Sequence, residues 1–183
     1  RLWHDVKTGL GKTFQAAGSL DCIGVDTWGV DYGLLDARGG LLSNPVHYRD
    51  SRTDGVFERA FQRVPREEVY RTTGLQFLQF NTLLQLFAAA EQGPDAFAGV
   101  ERMLFIPDLL NYFLTGVQGA EFTIASTSQM LDAGTQQWAV GLLDRFGVPR
   151  RILPELLPTG AKLGPLTAEV QRDRKSTRLN SIH

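Results

Sequence analysis

Residues 22–36 read CIGVDTWGVDYGLLD, and this stretch decides how the rest of the chain is interpreted. It begins as an apolar strand, is interrupted by DTWG at residues 26–29, and resumes as a second apolar run that could pair with the first. The four interrupting residues, which we call the DTWG loop, are therefore expected where the end of a sheet presents groups to a ligand.

Two interpretations of the DTWG loop are open. Gly29 lets a ligand approach the backbone closely, and Trp28 offers a flat apolar face with one N–H donor, which suits the ring and hydroxyls of a sugar. Alternatively, the loop is a tight hairpin turn in which Trp28 packs inward and Asp26 bonds to its own backbone. Spacing alone favours the turn.

Composition excludes several classes of protein. The 183 residues carry 19 Lys and Arg against 20 Asp and Glu, so the net charge of -1 lacks the basic excess that binding to nucleic acid or an anionic membrane needs. No apolar run approaches the roughly 20 residues that span a bilayer. Cys22 is the single cysteine, which excludes an internal disulfide and fits a reducing, cytoplasmic location.

Hydrophobic periodicity predicts an α/β domain. A helix over residues 2–17 precedes a strand at 21–26, and residues 30–35 form a second strand that ends in the turn DARGG. The apolar stretch 41–46 is predicted to complete a hairpin as an edge strand, because it contains Pro45.

Helices are predicted to dominate the middle of the chain. They lie at 54–64, from Pro65 onward, at 82–92 with Asn81 as the cap, from Pro107 to Gly116 and at 137–146, with a strand at 102–106. The proline-containing segment 149–166 is predicted to be extended chain that leaves the domain.

The C-terminal composition differs from that of the rest of the chain. Residues 171–183 contain four basic residues and one acidic residue without apolar periodicity, so they resemble a translated adapter more than native sequence. We therefore predict one domain over residues 1–166 and a tail over 167–183, of which 171–183 is non-native.

Further polar residues are candidates for binding. HYRDSRTD at 47–54 places two arginines and two aspartates past a predicted strand, where they could hold a polyol, lock two segments together or pair in solvent. Asn81 could cap its helix or also face a ligand, and Asp108 could complement a helix dipole. Glycine-rich phosphate loops and zinc motifs are missing from the sequence, so by itself it shows no complete active site.

Four segments carry a family resemblance. Read in order, IGVDTWGVDYGLLDARGGLLSNPVHYRDSRTDG, YRTTGLQFLQFNTLLQL, IPDLLNYFLTG and EFTIASTSQMLD resemble the N-terminal domain of the FGGY carbohydrate kinases, over about residues 21–166. The combination of DTWGVDY with HYRDSRT and FNTL points to the rhamnulokinase group within that family.

The resemblance implies a ribonuclease H-like, actin-like ATPase fold in which two such domains close on ATP and a sugar. It also implies the reaction, which is transfer of the γ-phosphoryl group of ATP, with Mg²⁺, to the 1-hydroxyl of L-rhamnulose. In the family, the glycine that matches Gly29 touches the sugar, and Thr27 and Trp28 wall the same pocket. With the resemblance, the sugar-binding interpretation of the DTWG loop becomes the favoured one.

The resemblance also implies that parts of a complete kinase lie outside this sequence. The first strands with their phosphate loop, and a later segment with the general-base aspartate, have no counterpart here, so we expect a domain that is incomplete at its N-terminal strands. Because phosphoryl transfer depends on those parts, we expect a fragment without catalytic, nucleotide-binding or metal-binding residues of its own, inactive alone. The alternatives are another FGGY kinase, acting on fuculose, xylulose or glycerol, and a non-catalytic sugar-binding domain with the actin-like fold.

Overall fold

The structure, a computed structural model, describes residues 1–172 and the backbone of residues 180–182. The helices are α1 (Leu2–Ala17), α2 (Val56–Arg63), α3 (Arg66–Thr73), α4 (Thr82–Ala90), α5 (Ile106–Thr115), α6 (Phe122–Ser126), α7 (Val140–Arg145) and α8 (Ala168–Arg172). The strands are β1 (Cys22–Gly24), β2 (Tyr32–Leu35), β3 (Arg102–Phe105), β4 (Gly119–Glu121), β5 (Glu155–Leu157), β6 (Lys162–Pro165) and β7 (Asn180–Ile182). None of the helices in the described part is long and apolar enough to cross a membrane.

The strands form three small sheets. β1 runs parallel to β7, which pairs antiparallel with β6. β2 pairs antiparallel with β3, with Tyr32 opposite Phe105, and β4 runs parallel to β5. The two apolar runs that flank the DTWG loop therefore belong to different sheets and do not pair with each other, because the partner of β2 is β3.

The main core lies where the β2–β3 pair meets the helices. Met103 and Phe105 of β3 are fully buried in the same cluster as Leu83 and Leu86 of α4. Residues 82–88 of α4 are all buried, so this helix lies at the centre of the domain rather than on its surface.

A second, smaller cluster joins α1 to α5. Phe14 of α1 packs with Leu114 of α5, and the rings of Trp3 and Phe113 lie 5.4 Å apart. The predicted helix over residues 2–17 is confirmed, since α1 has those bounds. The predicted start and end of α5 are also confirmed, because Pro107 lies in its first turn and Gly116, with a φ of 82°, ends it.

The predicted hairpin over residues 30–46 is wrong. Its first strand exists as β2, and the DARGG turn forms, because the Asp36 carboxylate accepts hydrogen bonds from the N–H groups of Arg38 and Gly40. The expected third strand, however, is reduced to one bridge between Leu35 and Leu41. The polar residues 43–44 and Pro45, which has no N–H to donate, stop the ladder there.

The segment 149–166 does not leave the domain, contrary to its prediction. Ile152 is fully buried in the main core, and Leu166 is buried in the smaller cluster. The segment also contributes β5 to the sheet with β4, and β6 to the sheet with β7. The apolar residues between the prolines outweigh the proline signal, because their burial stabilises the folded chain. The predicted helix over 137–146 is also shorter in the structure, where it is α7.

Residues just past 166 pack on the domain as well, since Val170 of α8 belongs to the smaller cluster. The prediction that residues 171–183 are non-native falls mostly outside the described residues, although the backbone of β7 pairs with β1 and β6. The limits at 166 and 171 stay predictions.

The Glu121 carboxylate joins three segments of the chain, namely β4, α6 and the turn before β6. Glu121 is only 5% exposed, and it accepts hydrogen bonds from the Ile124 N–H at 3.0 Å, from the Thr159 hydroxyl at 2.5 Å and from the Thr123 hydroxyl. Burial alone would raise the pKa of Glu121, but these hydrogen bonds outweigh it and lower the pKa below the usual 4.5.

Because the pKa of Glu121 is lower in the folded chain than in the unfolded one, its stabilisation is complete above the unfolded pKa and is lost as pH falls through the folded value. We expect Glu121→Gln to lower the free energy of unfolding by roughly 1–2 kcal/mol at pH 7, since the amide accepts fewer hydrogen bonds. The difference should shrink below about pH 4. Urea unfolding of both proteins at pH 7, 5 and 3.5 measures this, and a constant difference would contradict it.

Candidate functional site

The DTWG loop crosses from one sheet to another at the protein surface. It leaves β1 and leads through Val30 and Asp31 into β2. Trp28 is 42% exposed, which excludes the interpretation in which its ring packs inward. Thr27 and Gly29 are half-buried beside it, so the structure brings the three predicted residues together on one accessible surface.

The Trp28 indole is held by a buried carboxylate. Its Nε1–H donates to Oδ2 of Asp31 over 2.7 Å, and Asp31 is only 2% exposed. The other carboxylate oxygen, Oδ1, has no hydrogen-bond partner among the described residues. The indole N–H is therefore not available to a ligand hydroxyl as the sequence suggested, whereas the exposed ring face is.

The end of α6 forms the neighbouring surface. A Cβ atom placed on Gly29 would lie 3.5 Å from Oγ1 of Thr127 and 3.7 Å from Cδ1 of Ile124. These are ordinary contact distances, so Gly29 lies directly against this helix end. Sequence analysis missed this neighbour, because nothing in the spacing relates residue 29 to residue 127.

The loop ends in a backbone conformation that is unusual for its residue. Val30 has a φ of 68°, in the left-handed region that β-branched residues rarely adopt. Its carbonyl oxygen accepts from Oγ1 of Thr82 at 2.8 Å and from Nε2 of Gln85 at 3.1 Å. Two polar residues of α4 therefore hold the loop from beneath, and sequence analysis did not single out either one.

The HYRDSRTD segment locks two parts of the chain together, one of its three predicted roles. Asp50 accepts from the Arg52 N–H and begins the short turn Ser51–Thr53. The Arg52 side chain then donates from Nη2 to Oε1 of Gln85 over 2.5 Å and lies 5.7 Å from the Tyr32 ring. Burial raises the pKa of Tyr32, although the nearby Arg52 opposes the shift.

Asn81 and Asp108 are structural residues in this fold. Asn81 has the predicted N-cap position of α4, but the predicted capping bond is wrong, because its side chain donates instead to the Gln76 carbonyl and to Oε1 of Gln129. Asp108 is 1% exposed and accepts from the Glu121 N–H over 3.0 Å. Both are too deeply buried to face a ligand at the DTWG loop.

Other features of the described chain lie apart from the DTWG loop. A cleft of about 740 Å³ between α3 and the loop that follows it is lined by Arg66, Tyr70 and Phe77 but by none of the DTWG residues. Among the described residues, no three His, Cys, Asp or Glu side chains converge to hold a metal ion.

Comparison with known proteins decides the family. The model of the FGGY family of carbohydrate kinases, N-terminal domain, matches residues 1–174. The chain belongs to this family. It is 49% identical over 146 residues to a rhamnulokinase of Yersinia pestis bv. Antiqua (strain Angola), and 46% identical over 167 residues to one of Pectobacterium atrosepticum. These matches cover 80% and 91% of this chain but 30% and 34% of the relatives, so the chain spans about a third of their length.

Solved structures confirm the predicted fold class. A ligand-bound xylulose kinase from Lactobacillus acidophilus superposes on 98% of this chain and 37% of its own with a TM-score of 0.89 at 19% identity. A Plasmodium falciparum glycerol kinase with ADP covers 97% of this chain and 38% of its own with a TM-score of 0.81 at 17% identity. At such identities the likeness shows the fold, the ribonuclease H-like, actin-like ATPase domain of the carbohydrate kinases.

The bond between Trp28 and Asp31 predicts a measurable coupling. Asp31→Ala should lower the free energy of unfolding by roughly 1–3 kcal/mol, since it removes a charge-assisted hydrogen bond. In a Trp28→Phe background the same substitution should cost less, because the buried carboxylate there has already lost its donor. Urea unfolding of the four proteins of this double-mutant cycle gives the coupling energy. Equal costs in both backgrounds would show that Asp31 does not act through the indole.

Proposed function

We propose that this chain supplies the sugar-binding surface of a kinase that transfers the γ-phosphoryl group of ATP to the 1-hydroxyl of L-rhamnulose. The observation that carries the proposal is the exposed face of Trp28 beside Gly29, in a chain whose relatives at 46–49% identity are rhamnulokinases. The DTWG loop offers what a sugar of this class needs, which is an apolar face for its C–H groups and a backbone without a side chain for close approach.

The roles of the three loop residues follow from their contacts. The Trp28 ring face packs against the sugar while its N–H stays on Asp31, so the ring is oriented before the sugar arrives. Gly29 lets the sugar lie against the backbone next to Thr127. Thr27, whose hydroxyl donates to the Trp28 carbonyl over 3.0 Å, closes one end of the surface.

In the proposed reaction, the oxygen of the 1-hydroxyl attacks the γ-phosphorus of ATP, the new O–P bond forms, and the bond from phosphorus to the bridging oxygen breaks to release ADP. The proton of the hydroxyl goes to a general-base carboxylate, which we assign, on the family resemblance, to a part of the kinase other than these residues. On the same resemblance, we assign nucleotide and Mg²⁺ binding to other parts of the kinase and cytoplasmic sugar catabolism as its setting. In the proposed scheme this chain's own contribution is to bind and orient the sugar.

Sugar preference tests the proposal. A full-length kinase that contains this segment should phosphorylate L-rhamnulose in preference to L-fuculose, D-xylulose and glycerol, as measured by coupled ADP release, and the isolated chain should phosphorylate none of them. A preference for another sugar in the panel would replace L-rhamnulose in the proposal. ATP-dependent turnover by the isolated chain would contradict the assignment of the nucleotide site elsewhere.

Substitution of Gly29 tests the location of the site. The contacts of a Cβ atom at 3.5 and 3.7 Å are ordinary, so Gly29→Ala should fold normally. Gly29→Leu should add bulk where the sugar lies and raise the KM for L-rhamnulose at least tenfold, which corresponds to about 1.4 kcal/mol of binding free energy, with the KM for ATP unchanged. Gly29→Ala serves as the matched control. Parallel loss of sugar and ATP affinity in Gly29→Leu would mean that the loop is structural.

A further inference from the structure

Val30 is held in a conformation that its side chain disfavours. Its φ of 68° brings Cβ close to the carbonyl oxygen of the preceding residue, an arrangement that costs free energy for any residue except glycine and most for a β-branched one. Such outliers persist only where the surroundings determine the backbone, and they concentrate at functional sites. Val30 directly follows Gly29, so whatever holds Val30 also sets the shape of the proposed sugar surface.

The groups that hold Val30 come from α4. Thr82 and Gln85 are both fully buried, and the Thr82 hydroxyl and the Gln85 amide N–H both donate to the Val30 carbonyl. A backbone carbonyl with two buried donors resists rotation, because turning it away would leave both donors unpaired inside the protein.

The orientation of the Gln85 amide is determined by its partners. Arg52 can only donate, so the amide oxygen must face Nη2 of Arg52, 2.5 Å away. The NH₂ group then faces two acceptors, the Val30 carbonyl at 3.1 Å and the Phe80 carbonyl at 2.8 Å. Every polar atom of Gln85 is therefore paired, and a flipped amide would place its oxygen against two carbonyl oxygens.

The DTWG loop is consequently fixed on both sides of Gly29. On one side, the Trp28 indole is bonded to Asp31. On the other side, the Val30 carbonyl is bonded to α4. The Asp31 N–H also donates to the Gly29 carbonyl over 2.9 Å, which closes the turn between the two.

We propose that Gln85 is a positioning residue for the sugar surface: with Arg52 behind it and Thr82 beside it, it keeps Val30 in the left-handed conformation and so preorganises Trp28 and Gly29. The role in sugar binding rests on the proposed function, whereas the role in loop conformation does not. A preorganised surface binds more tightly because no loop ordering has to accompany binding.

The loop conformation is tested first, on the chain itself and without sugar. In ¹⁵N-labelled protein, Gln85→Leu should raise the hydrogen-exchange rate of the Asp31 amide about tenfold or more, because the turn opens more often. Val30→Gly removes the conformational cost at residue 30, so Gln85→Leu in the Val30→Gly background should raise that rate only about twofold.

Leu86→Ala is the matched control for this measurement. Leu86 is a fully buried residue of the same helix that belongs to the main core. The substitution Leu86→Ala should destabilise the domain without selectively raising the hydrogen-exchange rate of the Asp31 amide. An equal rise in Leu86→Ala, or an undiminished effect of Gln85→Leu in the Val30→Gly background, would show that Gln85 is an ordinary packing residue and overturn the proposal.

The second measurement concerns sugar binding in a full-length kinase that contains this segment. Gln85→Leu should raise the KM for L-rhamnulose about tenfold with kcat changed less than about twofold, and Val30→Gly should restore most of the loss. An unchanged KM in an active kinase would overturn the positioning role while leaving the proposed function intact. If the kinase does not use L-rhamnulose at all, the proposed function fails, and the exchange measurement still decides whether Gln85 holds the loop.

Discussion

The domain depends on a constraint on buried polar side chains: inside an apolar core, a polar atom without a hydrogen-bond partner costs free energy. Gln85 shows this most plainly. It lies fully buried in a helix that is otherwise almost entirely apolar, and its amide is satisfied only by Arg52, Val30 and Phe80, which come from three separate segments. Glu121 plays the same part on another side of the core, where it joins β4, α6 and the turn before β6. These side chains hold separate segments together, because leaving their buried polar atoms without hydrogen bonds would cost free energy.

These hydrogen bonds explain how a surface loop keeps a fixed shape. Within the DTWG loop, Thr27 contributes one hydrogen bond to the next residue, which is too little to set a shape. The shape comes from Asp31 beneath the indole and from α4 beneath Val30. The tight hairpin turn that spacing favoured does not form, because the flanking strands do not pair and Trp28 faces solvent, with its N–H bonded to Asp31.

Secondary-structure elements whose limits depend on neighbouring residues could be predicted from the sequence. The four-residue spacing of apolar side chains predicted α1, and Pro107 with Gly116 predicted the limits of α5. Elements whose position depends on contacts with distant parts of the chain could not be predicted in this way. Residues 41–46 looked like the partner of β2, but the partner is β3, about seventy residues further along the chain, and in that pairing Met103 and Phe105 are fully buried. The prolines of 149–166 suggested a departing chain, whereas the apolar residues between them hold it on the core.

The family and the position of the candidate site can be recognised from the sequence, because the DTWG motif and its companions are local strings of residues. How the candidate site is held depends on the folded chain. Thr82 and Gln85 are more than fifty residues from Val30, and no periodicity relates them to it. Their pairing follows from the burial of α4 under the loop, and burial is a property of the whole packed core rather than of any stretch of sequence.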